Sequence, residues 1–200
     1  MPGKKTYKPE IRQQPGRKGD MRKLSFMELQ ALRNQTAADP VQSKLPLSAL
    51  CDDIRSLHNV GAIFRTADGA ALQHLYLCGI TGTPPRSEIR KTSLGAEETV
   101  AWTYHQDPAP LIHDLRKQGQ SIVVLEQTDT SVDYRCADYH FPMTLIIGHE
   151  YNGVRDELLD LVDLAIEIPM LGSKHSLNVS VAFAVAAYEI RRQWEERSKK

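Results

Sequence analysis

Cysteine is scarce in this sequence, and the three present, Cys51, Cys78 and Cys136, are widely separated and odd in number. That excludes a disulfide framework, and the lack of a C-x-x-C pair excludes a zinc knuckle, so no metal site is expected. All three read as reduced, buried thiols. Long apolar runs are missing as well. The longest candidate, Leu177 to Tyr188, is shorter than the roughly 20 residues a membrane span needs, and Asn178 and Ser180 interrupt it. The first residues carry charge but no apolar stretch, so they do not read as a secretory signal; a cytoplasmic protein without a membrane partner is expected. Neither G-x-G-x-x-G nor G-x-x-x-x-G-K-S/T occurs, which removes the usual signatures of a dinucleotide fold and of a phosphate loop.

Net charge is absent too, since 25 Lys and Arg balance 25 Asp and Glu. The balance conceals an uneven distribution. Between Met1 and Lys23, eight basic residues stand against Glu10 and Asp20, so the arm carries a charge of plus six and the remainder minus six. An arm of this kind, rich in Pro and Gly, is expected to be disordered alone and to offer sequence-independent contacts to phosphates. A solvated tail would have the same composition.

What is present is an alternation of short apolar runs and helical periods. Ser25 and Glu28 have capping-box spacing at the start of a predicted helix over Ser25 to Gln35, with Phe26, Leu29 and Leu32 on one side. A linker with Pro40 and Pro46 follows. Leu47 to Cys51, Leu75 to Cys78, Ser121 to Leu125, Met143 to Ile147 and Leu164 to Ile168 read as strands. Val60 to Ala71, Ala109 to Gln118, Val154 to Val162 and Leu177 to Trp194 read as helices. Continuous runs such as SIVVL and MTLIIG point to strands buried on both faces, hence to an α/β domain with a parallel sheet flanked by helices. The expected division is a basic arm with one short helix over residues 1–46 and one α/β domain over 47–200.

Ligands of open parallel sheets bind beyond the carboxyl ends of strands, and three stretches there carry candidate chemistry. LHNVGAIFRTADGAAL, Leu57 to Leu72, has an apolar stripe of Val60, Ile63, Phe64, Ala67 and Ala71, with Arg65 off the stripe in a row with Gly61, Asp68 and Gly69. Taken alone, Asn59 caps this helix and Arg65 pairs with Asp68 on the surface. IIGHEYNG, Ile146 to Gly153, brackets Glu150 with glycines that let main-chain groups approach a ligand. IPMLGSKHSLNVSVAFAVAA follows the last strand; Ser176 is a plausible cap, but Asn178 in the first turn needs a partner.

Together these three stretches resemble, in order, the motifs of the SpoU or TrmH branch of the SPOUT RNA methyltransferases: N-x-G-x-x-x-R-T, G-x-E-x-x-G and I-P-M-x-G-x-x-x-S-L-N-V-S. The resemblance implies an enzyme that transfers a methyl group from S-adenosylmethionine to a ribose 2′-hydroxyl in tRNA or rRNA. It also implies a carboxyl-terminal trefoil knot, which general connection rules would not predict, and a homodimer with each active site near the partner subunit. On the same ground Gly148, Ile168, Met170 and Leu177 are expected to bind the cofactor, and Arg65, Asn59, Glu150, Ser176 and Asn178 to form the catalytic group. Gly61 would leave room for RNA backbone. Two alternatives stay open: a SPOUT enzyme methylating a base nitrogen, and an inactive RNA-binding protein on the same fold. The motif arginine speaks against the first and the intact motif residues against the second.

Overall fold

The computed structural model describes residues 22–37 and 44–198, so most of the expected basic arm lies outside the described residues. The chain divides into two compact units, residues 1–43 and 44–200. In the first, α1 spans Phe26–Ala37. The Ser25 N–H donates to Glu28 Oε2 at 2.8 Å and the Glu28 N–H to Ser25 Oγ at 3.3 Å, the reciprocal capping box that the spacing predicts.

The second unit is built on β1 (Leu45–Asp52), β2 (Leu72–Cys78), β3 (Trp102–His105), β4 (Ser121–Leu125), β5 (Val132–Asp133), β6 (Met143–Ile147) and β7 (Leu164–Glu167). These form one sheet in the order β3-β2-β1-β6-β4-β7-β5. Every pairing is parallel. Between the strands lie α2 (Leu57–Gly69), α3 (Ser87–Ser93), α4 (Pro108–Lys117), α5 (Asp156–Leu159) and, at the end, α6 (Val179–Arg197).

The alternation of side chains along central strands divides the core in two. Leu47, Ala49, Cys51, Leu145 and Ile147 meet α2 through Ile63, Phe64 and Ala67, and α6 through Phe183, Ala186 and Ile190. Leu50, Ile122, Val124 and Ile146 point the other way, against Ile112 and Leu115 of α4 and Leu158 of α5. All five residues of β6 are buried, as the run MTLII requires of a strand covered on both faces.

The expected strands and parallel sheet are present, and three elements escape the apolar pattern. The edge strand β3 has no fully buried residue, β5 is two residues long, and α3 buries only Ile89 and Ser93. The helix expected over Val154 to Val162 contracts to the single turn α5, because Leu158 is the one buried residue that anchors it. Cys136 is exposed, contrary to expectation, while Cys51 and Cys78 are buried in the central strands.

Candidate active site

Strands β4, β6 and β7 end at a cavity of about 460 Å³. Gly148, Glu150, Ile168, Met170, Ser176, Leu177 and Asn178 all line it, together with Leu125 and Glu126 at the end of β4. The turn after β6 is folded tightly on itself: His149 and Gly153 exchange backbone hydrogen bonds of 3.0 Å in both directions. A Cβ on Gly148 would lie 2.3 Å from the Gly153 carbonyl carbon, so glycine is needed for the chain to close. Gly153 has φ +70°, and the Val154 N–H that follows it donates to Glu126 Oε2 at 3.1 Å. His149 Nδ1 accepts from the Tyr151 N–H at 3.0 Å and from the Asn152 N–H at 3.3 Å. These two bonds hold the turn from inside.

This turn presents Glu150 to the amino terminus of α2. Its carboxylate accepts from the N–H of Arg55 at 3.0 Å, the N–H of Ser56 at 2.9 Å and the Asn59 amide at 2.8 Å. Partial burial pushes the carboxyl pKa up, but the hydrogen bonds from Ser56, Asn59 and Arg55 outweigh it, and the net shift is downward. The helix dipole favours the same ionised form. Asn59 turns its other amide atom outward, where its Oδ1 accepts from Asn178 Nδ2 at 3.1 Å. Asn178 Oδ1 in turn accepts from the Ser180 N–H at 3.0 Å and the Ser180 hydroxyl at 2.7 Å. Asn178 is thus the N-cap of α6, which starts two residues later than the pattern indicates, and Ser176 is not a cap but an exposed residue on the cavity wall. A continuous relay, Glu150 to Asn59 to Asn178, joins the three motif stretches.

Arg65 stands apart from the relay and does not line this cavity. It lies two turns along α2 beside a second, open cleft of about 510 Å³, with Ala62, Thr66, Lys91, Thr92 and Tyr188. The surface pair with Asp68 is not formed: Asp68 Oδ1 instead accepts from the Thr99 hydroxyl at 2.8 Å. Among the described residues Arg65 has no hydrogen-bond or ion-pair partner. Gly61 does not face open space either. A Cβ there would lie 2.0 Å from Thr92 Oγ1 and 2.3 Å from the Ile89 carbonyl oxygen, so this glycine is where α3 crosses α2. Two further groups around the cavity were not anticipated. Asp52, fully buried at the end of β1, holds Arg155 through Nε at 3.0 Å and Nη2 at 2.7 Å, and so anchors the chain leaving the Glu150 turn. Glu126 braces that turn from β4. Their signal in sequence is an acid where a buried strand ends, Asp52 in SALCD and Glu126 in VVLE.

The model of the SpoU rRNA Methylase family matches residues 46–188. The chain belongs to that family. The matched span runs from β1 into α6 and contains the whole relay, both glycines of the Glu150 turn and Arg65. Among relatives in the SpoU rRNA Methylase family, the tRNA (guanosine(18)-2′-O)-methyltransferase of Escherichia coli K12 is 34% identical over 150 residues, covering 74% of this chain. The chain spans 63% of that relative's length. Among solved structures, the A. aeolicus TrmH/SpoU tRNA modifying enzyme superposes with a TM-score of 0.71 at 31% identity, over 78% of this chain and 79% of that one. The SpoU methyltransferase AviRb of Streptomyces viridochromogenes, crystallised in complex with the cofactor AdoMet, gives a TM-score of 0.68 at 26% identity, over 76% of this chain and 58% of that one.

Proposed function

We propose that this protein transfers a methyl group from S-adenosylmethionine to a ribose 2′-hydroxyl of tRNA or rRNA. The observation that carries the proposal is the relay Glu150–Asn59–Asn178 at the mouth of the cavity, with an unpartnered Arg65 farther along the helix that Glu150 caps. The cavity suits the cofactor. Its volume of about 460 Å³ is that of a small-molecule site. Its walls combine apolar Leu125, Ile168, Met170 and Leu177, which fit an adenine ring and a methionine stem, with carboxylates at Glu126 and Glu167, which favour a ligand bearing a sulfonium and an ammonium. Gly148 and the backbone after Ile168 would hold it through main-chain groups.

When bound, the cofactor supplies an electrophilic methyl group on a sulfonium. The protein has to hold the ribose oxygen in line with that methyl, roughly 3 to 3.5 Å away, and assist loss of its proton. Guanidinium does not give up its proton in proteins, so Arg65 is not a base. In this proposal Arg65, from its neighbouring cleft, binds the phosphate adjacent to the reacting ribose, and the proton leaves to phosphate or water. Glu150 stays ionised and fixes Asn59; Asn59 and Asn178 orient the ribose, and Ser176 borders the reacting centre.

The same reading includes a trefoil knot around the cavity. It is supported by the Gln127 side chain donating to the His175 carbonyl at 2.7 Å, which ties the loop after β4 to the loop before α6. A homodimer is also proposed, with the exposed Leu177 and Val181 at the head of α6 as candidate contacts. Residues 1–46 would be an RNA-affinity arm with one helix and 47–200 the methyltransferase domain. Among the described residues no helix is long and apolar enough to cross a membrane, in keeping with cytoplasmic action on RNA. Incubation with cofactor carrying a tritiated methyl group and total RNA tests the proposal: label should enter tRNA or rRNA. Cofactor binding without any transfer to either RNA would sink it.

A further inference from the structure

The cleft beside Arg65 contains a second cation that the motif reading does not use. Lys91, at the end of α3, faces the same opening, and among the described residues it too lacks a hydrogen-bond or ion-pair partner. Several other described cations are paired: Arg116, Arg155, Arg191 and Arg197 each have a carboxylate within 2.8 Å. The absence of a direct ion pair at the cleft has a structural origin. Asp68 is the only carboxylate on α2, one turn from Arg65, and Thr99 holds it away. Glu88, the acid nearest Lys91 in sequence on α3, takes a hydrogen bond from Ser87 and acts on Lys91 through space, without ion-pair contact. Gly61 meanwhile lets α3 approach α2 closely enough to set the two cations on one opening. Tyr188 of α6, 52% exposed, forms the remaining wall.

Beyond its first 23 residues the chain carries net negative charge, yet Arg65 and Lys91 share one opening and neither is in ion-pair contact with a carboxylate. Their mutual repulsion is relieved by an anion with oxygens to offer both, and a phosphodiester has that chemistry. A single-stranded nucleotide brings with it a base face suited to the tyrosine ring. From this geometry we infer that the α2–α3 cleft seats a backbone phosphate of single-stranded RNA, held jointly by Arg65 and Lys91, with Lys91 a positioning residue for the reacting strand. This rests on the methyl-transfer reading above.

The test is binding of fluorescently end-labelled bulk tRNA to the full chain across a series of salt concentrations, measured for the wild type, Lys91→Ala, Lys91→Arg and Lys117→Ala. Lys91→Ala should weaken binding by about three- to tenfold and reduce the slope of log affinity against log salt by about one. Lys91→Arg should restore both. Lys117, on α4 and paired with Asp114 at 2.9 Å, should leave the slope unchanged on replacement. In turnover, Lys91→Ala should raise KM for RNA, with cofactor affinity unaltered. A wild-type slope in Lys91→Ala, or an equal loss in Lys117→Ala, would overturn the inference. So would a loss in Lys91→Ala accompanied by dissociation in light scattering, which would make the cleft a contact between copies. Binding is read without turnover, so failure of methyl transfer in the wild type would count against the activity and leave the cleft to be judged by its salt slope.

Discussion

Replacing Gly61 with alanine sets two effects of opposite sign against each other, and the structure decides between them. Alanine is the better helix former by about 1 kcal/mol in a helix interior. The added methyl, however, would lie 2.0 Å from Thr92 Oγ1 and 2.3 Å from the Ile89 carbonyl oxygen. The second of these is backbone, and the Thr92 hydroxyl is committed to the His58 carbonyl at 3.0 Å, so neither can turn away cheaply. Overpacking of this kind costs about 1–3 kcal/mol, occasionally more. Because one of the two clashes is with backbone, the cost lies in the upper part of that range, about 2–3 kcal/mol. Less the helix gain of about 1 kcal/mol, a net loss on the order of 1–2 kcal/mol follows, equivalent to roughly 2–8 °C in Tm for a domain of this size. Urea unfolding followed by fluorescence of Trp102 and Trp194, both packed against the core, would measure it. Gly69→Ala provides the contrast. There the methyl meets only the Tyr188 hydroxyl at 2.8 Å, the free end of a half-exposed side chain, and stability should stay within about 0.5 kcal/mol of wild type. Turnover should fall further in Gly61→Ala than in Gly69→Ala, because the α2–α3 crossing sets the spacing of Arg65 and Lys91. If Gly61→Ala proved as stable as the wild type, the crossing as described would be wrong.

Two further outcomes follow from the ionisable groups. Glu150→Gln removes a carboxylate whose native pKa is held below its ordinary value. Its stabilisation is therefore fully present above the unfolded-state pKa of about 4.3 and is lost as the pH falls through the lower native value. The stability gap between wild type and Glu150→Gln should be constant from about pH 6 to 8 and close in acid; a gap that widened in acid would contradict the hydrogen-bond set of Glu150. Among thiols, burial pushes Cys78 up to about 12 and raises Cys51 also, whereas Cys136 is exposed. A disulfide reagent should therefore titrate one thiol in the native protein and three after denaturation, and rapid native reaction of all three would disprove the burial of β1 and β2.

The sequence made the sheet legible where strands are buried on both faces, since runs such as SIVVL and MTLII have no other stable use. It was silent on β3, β5 and α3, which are short or half exposed and owe their form to tertiary neighbours. The site was legible through motif spacing, and the relay of Glu150, Asn59 and Asn178 explains why an asparagine stands where α6 begins. Local pattern failed at Arg65, Asp68 and Gly61. The partners of Asp68 and Gly61 are Thr99 and the Ile89–Thr92 turn, some thirty residues away, and nothing in the helix's own period reports them. The same long-range contact leaves Arg65 free, which the i,i+3 spacing to Asp68 conceals.

The central claim is methylation of a ribose oxygen with Arg65 as the electrostatic partner of the reacting strand. Its most direct test is nuclease digestion of RNA treated with the wild type and with Arg65→Lys, followed by mass spectrometry of the nucleosides. The account predicts a 2′-O-methylated nucleoside from the wild type and a loss of turnover of about a hundredfold or more in Arg65→Lys, with cofactor affinity unchanged. A methyl group found on a base, or near-normal turnover by Arg65→Lys, would contradict it.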